Sequence, residues 1–579
     1  MPNTNSPSIM EGQKPFCDVV MKGGITSGVV YPLAVVELAR KYRLKSIGGT
    51  SAGALAAAIT AAAEYGRSTG GYDRIAGIPG EIAGSLLSKF QPEPSLAPIF
   101  SIFLATLGNA RGSVKTARAI KAAVLGYPYA VLAGSFPGIL IVIAGSFLPN
   151  PALIILGILV AVVGVVSALS WRIWNALTSE LPAANYGLCS GATVEGYNAP
   201  GITEWLADTI DWVASGYRET HSKPLCFGEL QATSDRHAIE LAMMTTDLST
   251  RRPYRLPFRD RIHFFSKADF DKLFPKRIVD YMVAHTKAVP PERNVTGDLY
   301  YLPEAEHLPI VVAARLSLSF PLLIQAVPLY KVDFTLKHQE ADQPIKCWFS
   351  DGGLSSNFPI HFFDRMWPNA PTFGIALESY DERRHGKNRV YMASGAGEGQ
   401  LLPVNNIKGI GSFLLTLLDA AKDWQDNLQS VLPGYRERII HIALKESEGG
   451  LNLMMPPELI EELSHYGKQA GLMASGPAFD LDEHRWRRFL IAMAEIEEML
   501  DQIASSHDPQ PSGAEDFGKF LDRYDFSGSY RPVSEAWKKE VLSRAKELVI
   551  AGHSWRTDPT VRSGKIPKPD PTMRITPQP

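Results

Sequence analysis

The chain has 579 residues, of which 45% are hydrophobic and 20% are charged, and its formal net charge at pH 7 is −2. This near-neutral balance gives no sign of a nucleic-acid partner, and we expect none. The four cysteines are scattered, without a CxxC motif or a Cys/His cluster. That pattern argues against a disulfide scaffold and a structural zinc site, and it indicates a reducing compartment.

The first elements of the chain predict a parallel β-α-β unit behind a short tail. Residues 1–15 are polar, contain prolines and show no secretory signal peptide, so we expect a disordered tail there. Cys17–Met21 is typical of a buried strand, a helix is predicted to about Tyr42, and a second strand begins at Leu44. Two strands joined by a helix should be parallel, and ligands bind at the carboxyl ends of such strands.

A glycine-rich loop follows the first strand and contains Gly23 and Gly24. Successive N–H groups in such a loop form an anion-binding nest, which is what an oxyanion hole requires. The alternative is a tight turn. A dinucleotide site is disfavoured because the G-x-G-x-x-G spacing is absent.

The second strand leads into a sharp turn and then an alanine-rich segment that predicts a helix ending at Gly66. Gly49-x-Ser51-x-Gly53 has the spacing of a nucleophile elbow, in which the two glycines let the strand and helix pack closely around the serine. Ser51 would then lie at a helix N-terminus, where free N–H groups favour developing negative charge. The alternative is a glycine-rich turn that holds a solvated serine, since short patterns recur by chance.

An uncharged segment over 122–171 contains no Asp, Glu, Lys, Arg or His. A Pro-Asn-Pro turn at 149–151 divides it into two apolar runs, about 129–148 and 152–170. Each run has roughly the 20 residues that a helix needs to cross a bilayer. We therefore predict a hydrophobic membrane hairpin over 122–175 that contacts the bilayer through both runs. A buried helical hairpin, or a substrate-covering lid in a soluble protein, is the alternative.

Aromatic and basic residues flank both ends of this hairpin on one side, which the positive-inside tendency makes the cytoplasmic side. These flanking residues are Tyr127, Tyr129, Trp171, Trp174, Arg111, Lys115, Arg118, Lys121 and Arg172. A catalytic domain attached to those ends would face the cytoplasm.

The second half of the chain predicts further strands and helices and a third polar group at a strand end. Asp351, followed by Gly352 and Gly353, ends a predicted strand, although Asp-Gly is also a common turn pair. The predicted strands are Ala238–Asp247, Arg261–Phe265, Ile345–Ser350, Thr372–Glu378 and Arg438–Ala443, and the predicted helices are Pro309–Pro321, Gly409–Leu428, Glu458–Ala470, Asp482–Ser505 and Ser534–Ile550.

Serine is a poor nucleophile without a base, and the sequence offers two kinds of partner. Asp351 could take the proton of Ser51 directly, provided that partial burial raises its basicity. In the alternative, His361 or His441 completes a Ser-His-Asp triad in a soluble α/β-hydrolase. We favour the Ser51–Asp351 dyad, because α/β-hydrolase elbows normally follow several strands and this one follows the second.

These motifs resemble those of the patatin-like phospholipase family. Lys22–Gly28 looks like its oxyanion loop, Gly49–Gly53 like its elbow and Asp351–Gly353 like its aspartate motif. The resemblance covers about Phe16–Tyr380 and is interrupted by the hairpin. It implies a membrane-anchored member of bacterial type, with a three-layer α/β/α fold, a mostly parallel central sheet, the inserted hairpin and a helical C-terminal extension.

The family resemblance also implies a role for each residue of the three motifs. The implied catalytic residues are Ser51 and Asp351; the oxyanion hole comprises Gly23, Gly24 and Ala52; the elbow support is Gly49 and Gly53; and the motif support is Gly28, Gly352 and Gly353. No cofactor and no metal are implied. The loop departs from the common family form at Lys22, Ile25 and Ser27.

The expected protein is a lipid acyl hydrolase that cleaves a carboxylic ester of a glycerolipid or phospholipid at a membrane surface. The other reading is a catalytically weak lipid-binding or scaffold protein on the same fold. The predicted divisions are 1–15 (tail), 16–121 and 176–380 (two halves of a catalytic domain), 122–175 (hairpin), 381–552 (mostly helical region) and 553–579 (Pro-rich tail).

Overall fold

The structure is a computed structural model, and it describes most of the chain. The described residues are 14–24, 26–107, 112–217, 223–336, 343–393, 398–404, 407, 409–450, 452–509, 513, 515–526, 530–556, 560–564 and 566–569. The predicted N-terminal tail lies outside them except for residues 14 and 15, and so do Ile25 and most of the predicted C-terminal tail.

The described part of the chain contains thirteen strands. They are β1 (Phe16–Met21), β2 (Arg43–Gly49), β3 (Gly187–Cys189), β4 (Glu240–Asp247), β5 (Arg252–Leu256), β6 (Phe264–Ser266), β7 (Leu299–Tyr301), β8 (Leu322–Ile324), β9 (Val327–Val332), β10 (Pro344–Asp351), β11 (Thr372–Ser379), β12 (Val390–Met392) and β13 (Ile439–Leu444).

The α-helices of the described part are numbered in the same way. They are α1 (Tyr31–Lys41), α2 (Ala52–Tyr65), α3 (Gly71–Ile82), α4 (Ala97–Thr106), α5 (Gly112–Gly126), α6 (Pro128–Phe147), α7 (Pro151–Asn175), α8 (Leu181–Ala183), α9 (Ile202–Ser215), α10 (Lys267–Asp271), α11 (Lys276–Ala284), α12 (Ile310–Leu318), α13 (Glu382–His385), α14 (Gly409–Ser430), α15 (Pro457–Ser475), α16 (Leu481–His507), α17 (Phe517–Arg523) and α18 (Glu535–Trp555).

One large sheet forms the centre of the molecule, in the order β12-β13-β11-β1-β2-β4-β10-β9-β6-β7, with β5 paired to β4. The five strands from β13 to β4 run parallel, and the strands on both flanks are antiparallel. The expected mixed α/β class with a large sheet is confirmed. β1 and β2 pair in parallel, as predicted for strands joined by a helix.

Both faces of this sheet are covered, because alternate residues of a strand point to opposite sides. In β1, Val19 and Met21 belong to the main hydrophobic core. Val20 between them belongs to a second apolar cluster that includes Phe358 and Phe363. The Gly23 loop and the turn at Ser51 therefore follow strands of a sheet that is packed on both faces.

The predicted hairpin consists of two continuous helices, α6 and α7, of which α6 continues through Pro137. Within the described residues, two helices are long and apolar enough to cross a membrane, Pro128–Phe147 and Pro151–Ala183. Glycines let the two helices touch: a Cβ at Gly134 would overlap the backbone of Gly164. Close packing through small residues is typical of helices that associate within a bilayer.

The region after residue 380 contributes to the same sheet and core. β13 pairs in parallel with β11, as the sequence predicted, and β12 pairs with β13. Helix α15 packs against α1 so closely that a Cβ at Gly467 would overlap the carbonyl oxygen of Val30. The predicted division at residue 380 thus falls within one sheet. Helix α18 extends to Trp555, two residues beyond the predicted start of the C-terminal tail.

Candidate active site

Ser51 lies at the turn between β2 and α2, as the sequence predicted. Its backbone has φ 56° and ψ −128°, a conformation that residues with a side chain rarely adopt, and the residue is only 4% exposed. Such a residue costs about 1–3 kcal/mol and persists only where the surroundings impose it. The N–H of Gly53 donates to the carbonyl of Thr50 at 2.8 Å, and the N–H of Ala54 donates to that of Ser51 at 2.9 Å.

Close packing of the backbone around Ser51 leaves no room for a side chain at either elbow glycine. A Cβ at Gly49 would overlap the carbonyl oxygen of Gly53, and a Cβ at Gly53 would overlap that of Met21 in β1. The strand and the helix can therefore approach each other only if both positions lack a side chain, which is the role that the sequence predicted.

Asp351 ends β10 next to this turn. β10 is antiparallel to β4. The rule that ligands bind at the carboxyl ends of parallel strands therefore does not explain the position of Asp351. Its position follows from register instead: Gly49 pairs with Met243 of β4, and Asp351 pairs with Thr245, two residues further along. The two strand ends therefore lie at nearly the same level of the sheet.

Asp351 is only 3% exposed, and burial raises the pKa of its carboxyl group to about 6. Hydrogen bonding by the side chain of Ser51 and by the N–H of Gly353 opposes this shift. Oδ1 accepts from Gly353 N–H at 2.7 Å, whereas Oδ2 has no partner of ordinary hydrogen-bond geometry among the described residues. Ser51 and Asp351 are thus neighbours whose mutual hydrogen bond is not fully closed, which is common in unliganded sites.

The C-terminal end of α12 and the residue that follows it accept hydrogen bonds from the backbone of both Ser51 and Asp351, a role that the sequence did not reveal. The N–H of Ser51 donates to Oγ of Ser317 at 3.1 Å, and the N–H of Asp351 donates to the carbonyl of Ser319 at 2.9 Å. Arg315 is fully buried and donates to Oγ of Ser319 at 2.6 Å and to the carbonyls of Ser190 and Gln325. Burial lowers the pKa of Arg315 to about 9.

The glycine loop offers fewer free donors than the sequence predicted. The N–H of Gly23 donates to the carbonyl oxygen of Asn357 at 2.8 Å, so it is not free to hold an oxyanion in this structure. The N–H groups of Gly24 and Ala52 donate no hydrogen bond to a described residue. Gly28 lies against Ala52: a Cβ placed on Gly28 would be 3.2 Å from the Cβ of Ala52. Gly24 and Ala52 therefore remain the predicted oxyanion donors.

A carboxylate in the C-terminal region fixes the segment that contacts the glycine loop. Asp426 of α14 accepts from Oγ of Ser356 at 2.7 Å and from the N–H groups of Asn357 and Phe358 at 2.6 and 2.9 Å. Lys422, one turn earlier in α14, slightly lowers the pKa of Asp351 by its charge. No local motif marks Asp426, because its partners lie about 70 residues earlier in the chain.

The two histidines considered for a triad contact other groups. Nδ1 of His361 lies 3.3 Å from Oε1 of Gln429, and Nδ1 of His441 lies 3.2 Å from Oε2 of Glu378. Neither histidine has a hydrogen bond or ion pair with Ser51 or Asp351 among the described residues. In the part of the chain that the structure describes, no group of three or more His, Cys, Asp or Glu side chains is arranged to hold a metal ion.

The fold and this site define a mixed α/β protein with a serine at a strained strand–turn–helix junction beside a buried aspartate. The chain is 32% identical to RpoH suppressor of Rhizobium meliloti (strain 1021) over 658 residues, covering 97% of this chain and 99% of that protein. It therefore belongs to the RpoH suppressor family. No family model matches the chain.

The crystal structure of VipD from Legionella pneumophila is a solved structure with some similarity to this one. Its sequence is 14% identical, and the comparison covers 93% of this chain and 84% of that chain, with a TM-score of 0.30. A TM-score of this size does not establish a shared fold.

Proposed function

We propose that this protein is a lipid acyl hydrolase that cleaves carboxylic esters with a Ser51–Asp351 dyad. One observation carries the proposal: a serine in a strained backbone conformation lies beside a buried carboxylate whose Oδ2 is unpartnered and whose pKa is raised to about 6. An unpartnered oxygen can accept a proton, and a pKa near 6 suits a general base at neutral pH. The resemblance to patatin-like phospholipases supports the same chemistry.

In the acylation step, Oγ of Ser51 attacks the ester carbonyl while its proton moves to Oδ2 of Asp351. The carbonyl oxygen becomes an oxyanion, which the N–H groups of Ala52 and Gly24 would hold. The intermediate then collapses, and the alcohol leaves with the proton from Asp351. Water then attacks the carbonyl carbon of the acyl-serine and gives up a proton to Asp351. Asp351 returns this proton to Oγ of Ser51 as the free acid leaves.

The helix that begins at Ala52 supports this assignment on electrostatic grounds. The first N–H groups of an α-helix have no intrahelical acceptor, and the helix dipole places partial positive charge at the same end. Negative charge that develops next to Ser51 during attack would therefore be stabilised without any rearrangement of the protein.

Membrane attachment through α6 and α7 suits a lipid substrate, and we include it in the proposal. Large apolar side chains cover the outer surfaces of these helices, with Ile155, Leu159, Val163 and Phe147 all exposed. Such surfaces are stable in hydrocarbon and unfavourable in water. The basic residues Lys115, Arg118 and Lys121 of α5 precede the hairpin. Because basic residues favour the cytoplasmic side of a membrane, we propose that the site faces the cytoplasm.

The state of the glycine loop favours a second candidate function. Gly23 N–H is already bonded to Asn357, and Lys22 and Ser27 occupy positions where the resembling family usually carries Asp and Arg. Removal of one oxyanion donor typically lowers kcat by about 10²–10³-fold, so a site that lacks the Gly23 N–H as a donor would bind an ester but turn it over slowly. The second candidate is therefore a lipid-binding protein of the membrane surface with little or no hydrolytic activity.

Ester hydrolysis by the purified full chain in detergent or nanodiscs tests the proposal. We expect hydrolysis of a p-nitrophenyl ester, with kcat lowered at least about 10³-fold in Ser51→Ala and in Asp351→Asn, since removal of a nucleophile or its base has effects of this order. His361→Ala and His441→Ala should retain most activity. Activity that survives in Ser51→Ala would reject the dyad, and a folded but inactive wild type would favour the lipid-binding candidate.

A further inference from the structure

Helix α5, which ends two residues before α6 begins, carries three basic side chains. They are Lys115, Arg118 and Lys121, and the last two are exposed. None of the three makes a hydrogen bond or an ion pair with a residue that the structure describes. Because they follow one another at intervals of three residues, they lie along one side of the helix. These three side chains form the basic face of α5.

The sequence around the basic face contains no acidic residue. There is no Asp and no Glu between residues 94 and 179, a stretch that includes all of α4, α5, α6 and α7. Helices α4 and α6, which pack against α5, therefore supply no counter-charge. Soluble surfaces ordinarily intersperse charges of both signs. The basic face of α5 is thus suited to a negatively charged partner.

Two large apolar side chains are exposed beside the basic face. Val114 and Leu125 are 41% and 68% exposed. At 3.6 residues per turn, they lie within a sector of about 60° that also contains Arg118 and Lys121. A helix that lies in the headgroup layer of a bilayer presents both kinds of side chain, basic ones to the phosphates and apolar ones to the acyl chains. A nucleic acid would neutralise the charges but leave the two apolar side chains in water, so the pattern favours a lipid partner.

Exposed aromatic residues at the base of the hairpin indicate how far α5 is from the bilayer. Tyr129, Trp171 and Trp174 are 85%, 69% and 68% exposed, and such aromatic rings favour the membrane–water interface. Lys121 lies five residues before the end of α5, so its Cα is within about 8 Å of that end, whatever the direction of the helix. Charges act over ~8 Å at physiological salt. The basic face therefore begins within reach of lipid phosphates.

Contacts at the end of α5 hold it against the base of the hairpin. A Cβ at Gly126, the last residue of α5, would be 2.7 Å from the Cβ of Pro98 in α4. The ring centre of Tyr127, the next residue, lies 5.3 Å from the guanidinium carbon of Arg172 in α7. The basic face thus stays beside α6 and α7 as long as these contacts are kept.

We infer that the basic face of α5 binds the phosphate groups of anionic phospholipids in the leaflet that surrounds the base of the hairpin. The inference rests on the membrane attachment included in the proposed function, but it requires no ester hydrolysis. Each basic side chain close to an anionic membrane surface strengthens the attraction about fivefold. The three side chains together enrich anionic lipids around α5 relative to zwitterionic ones.

Quenching of a fluorophore on α5 by spin-labelled lipids tests this inference. Bimane is attached to Ala117→Cys at an exposed position of α5, and the four native cysteines are buried and should not react. The full chain also carries Ser51→Ala to prevent hydrolysis, in vesicles of equal amounts of phosphatidylcholine and phosphatidylglycerol. A nitroxide is attached to one lipid or the other. We expect quenching by labelled phosphatidylglycerol to be at least about fivefold stronger, the effect of one basic side chain.

Two triple variants with the same change in net charge separate the basic face from the charge of the whole protein. Lys115→Gln, Arg118→Gln and Lys121→Gln together should make the two lipids quench equally. Lys272→Gln, Lys539→Gln and Lys546→Gln together, at exposed positions elsewhere, should leave the preference unchanged. With the basic face intact, salt at about 1 M should weaken the preference, because the Debye length falls to ~3 Å. Circular dichroism confirms that each variant folds.

Equal quenching by the two lipids at Ala117→Cys would overturn the inference, and so would a preference that survives in the first triple variant. Binding of an RNA oligonucleotide through the basic face, without a lipid preference, would do the same and would assign that face to nucleic acid.

Bimane on Val163→Cys, an exposed position in α7, distinguishes failure of the inference from failure of membrane attachment. Quenching at Val163→Cys without a lipid preference at Ala117→Cys rejects the inference alone. No quenching at either position rejects membrane attachment and the inference together. The hydrolase is tested separately: a wild type that cleaves no ester but shows the lipid preference leaves the inference standing, and ester cleavage without the preference leaves the dyad standing.

Discussion

The backbone N–H of Ser51 donates to the hydroxyl of Ser317 at 3.1 Å. Two residues after Ser317, the carbonyl of Ser319 accepts a hydrogen bond from the N–H of Asp351 at 2.9 Å. The C-terminal end of α12 therefore sets the positions of the serine and the carboxylate relative to each other. The dyad depends on this helix end as much as on its own two strands.

Ser317→Ala should lower both the activity and the stability of the protein. The substitution leaves the buried N–H of Ser51 without an acceptor, which costs about 1–3 kcal/mol. We expect a lower kcat with little change in KM, because the nucleophile and not the substrate surface is displaced. Ser317→Thr, which retains the hydroxyl, should recover much of the loss. Wild-type kcat in Ser317→Ala would show that this hydrogen bond does not position Ser51.

The strained backbone at Ser51 predicts that glycine at this position stabilises the fold. Glycine adopts positive φ freely, so Ser51→Gly should raise the free energy of unfolding by about 1–3 kcal/mol while removing the nucleophile. Ser51→Ala keeps the strain and serves as the matched control, with no such gain. Thermal unfolding of both variants in the same detergent provides the comparison, and equal midpoints would argue against strain at this residue.

Asp351→Asn should stabilise the protein at alkaline pH. The pKa of Asp351 is about 6 in the folded state against 3.8 in the unfolded chain, so folding favours the protonated form. The corresponding stability is fully present below pH 3.8 and is lost as pH rises through 6. Asparagine mimics the protonated group and keeps the acceptor for Gly353. At pH 8 the variant should therefore exceed the wild type by about 3 kcal/mol.

The pH dependence of this difference is the control for Asp351→Asn. Unfolding measured at several pH values should show the two proteins converging as pH falls toward 4. A difference that does not change with pH would mean that the titration of Asp351 is not its cause.

The contact between α15 and α1 predicts that the C-terminal region is needed for a folded site. Gly467→Ala would force a Cβ into the carbonyl of Val30, just after the glycine loop, and overpacking of this kind costs about 1–3 kcal/mol. Gly77→Ala in α3 is the control, since a Cβ there meets nothing within 4 Å. Unfolding midpoints should fall for the first variant and not for the second. Equal midpoints would mean that α15 yields to the extra methyl group.

The elbow could be predicted from the sequence because its requirements are local. Two glycines and a serine at fixed spacing, between an apolar run and an alanine-rich run, define the strand, turn and helix without reference to the rest of the chain. The two helices α6 and α7 were predictable for a similar reason, since each corresponds to a continuous apolar run of about 20 residues on one side of a Pro-Asn-Pro turn. The β-α-β unit followed from chain order alone.

The remaining parts of the site depend on contacts between distant residues. Ser317 lies 266 residues after Ser51, and Asp426 acts on a segment about 70 residues before it, so no spacing rule connects these pairs. The sequence placed Asp351 at a strand end but could not show that β10 is antiparallel. It also could not show that Asn357 accepts from Gly23, because that bond joins two loops.

Labelling of the full chain by a fluorophosphonate probe tests the Ser51–Asp351 dyad most directly. The probe phosphonylates only an activated serine, and mass spectrometry identifies the modified residue. We predict a single adduct on Ser51, absent in Ser51→Ala, whose rate of formation rises as pH increases through about 6, where Asp351 ionises. A folded protein that forms no adduct at Ser51 at any pH, or forms one at an unchanged rate in Asp351→Asn, would contradict the dyad.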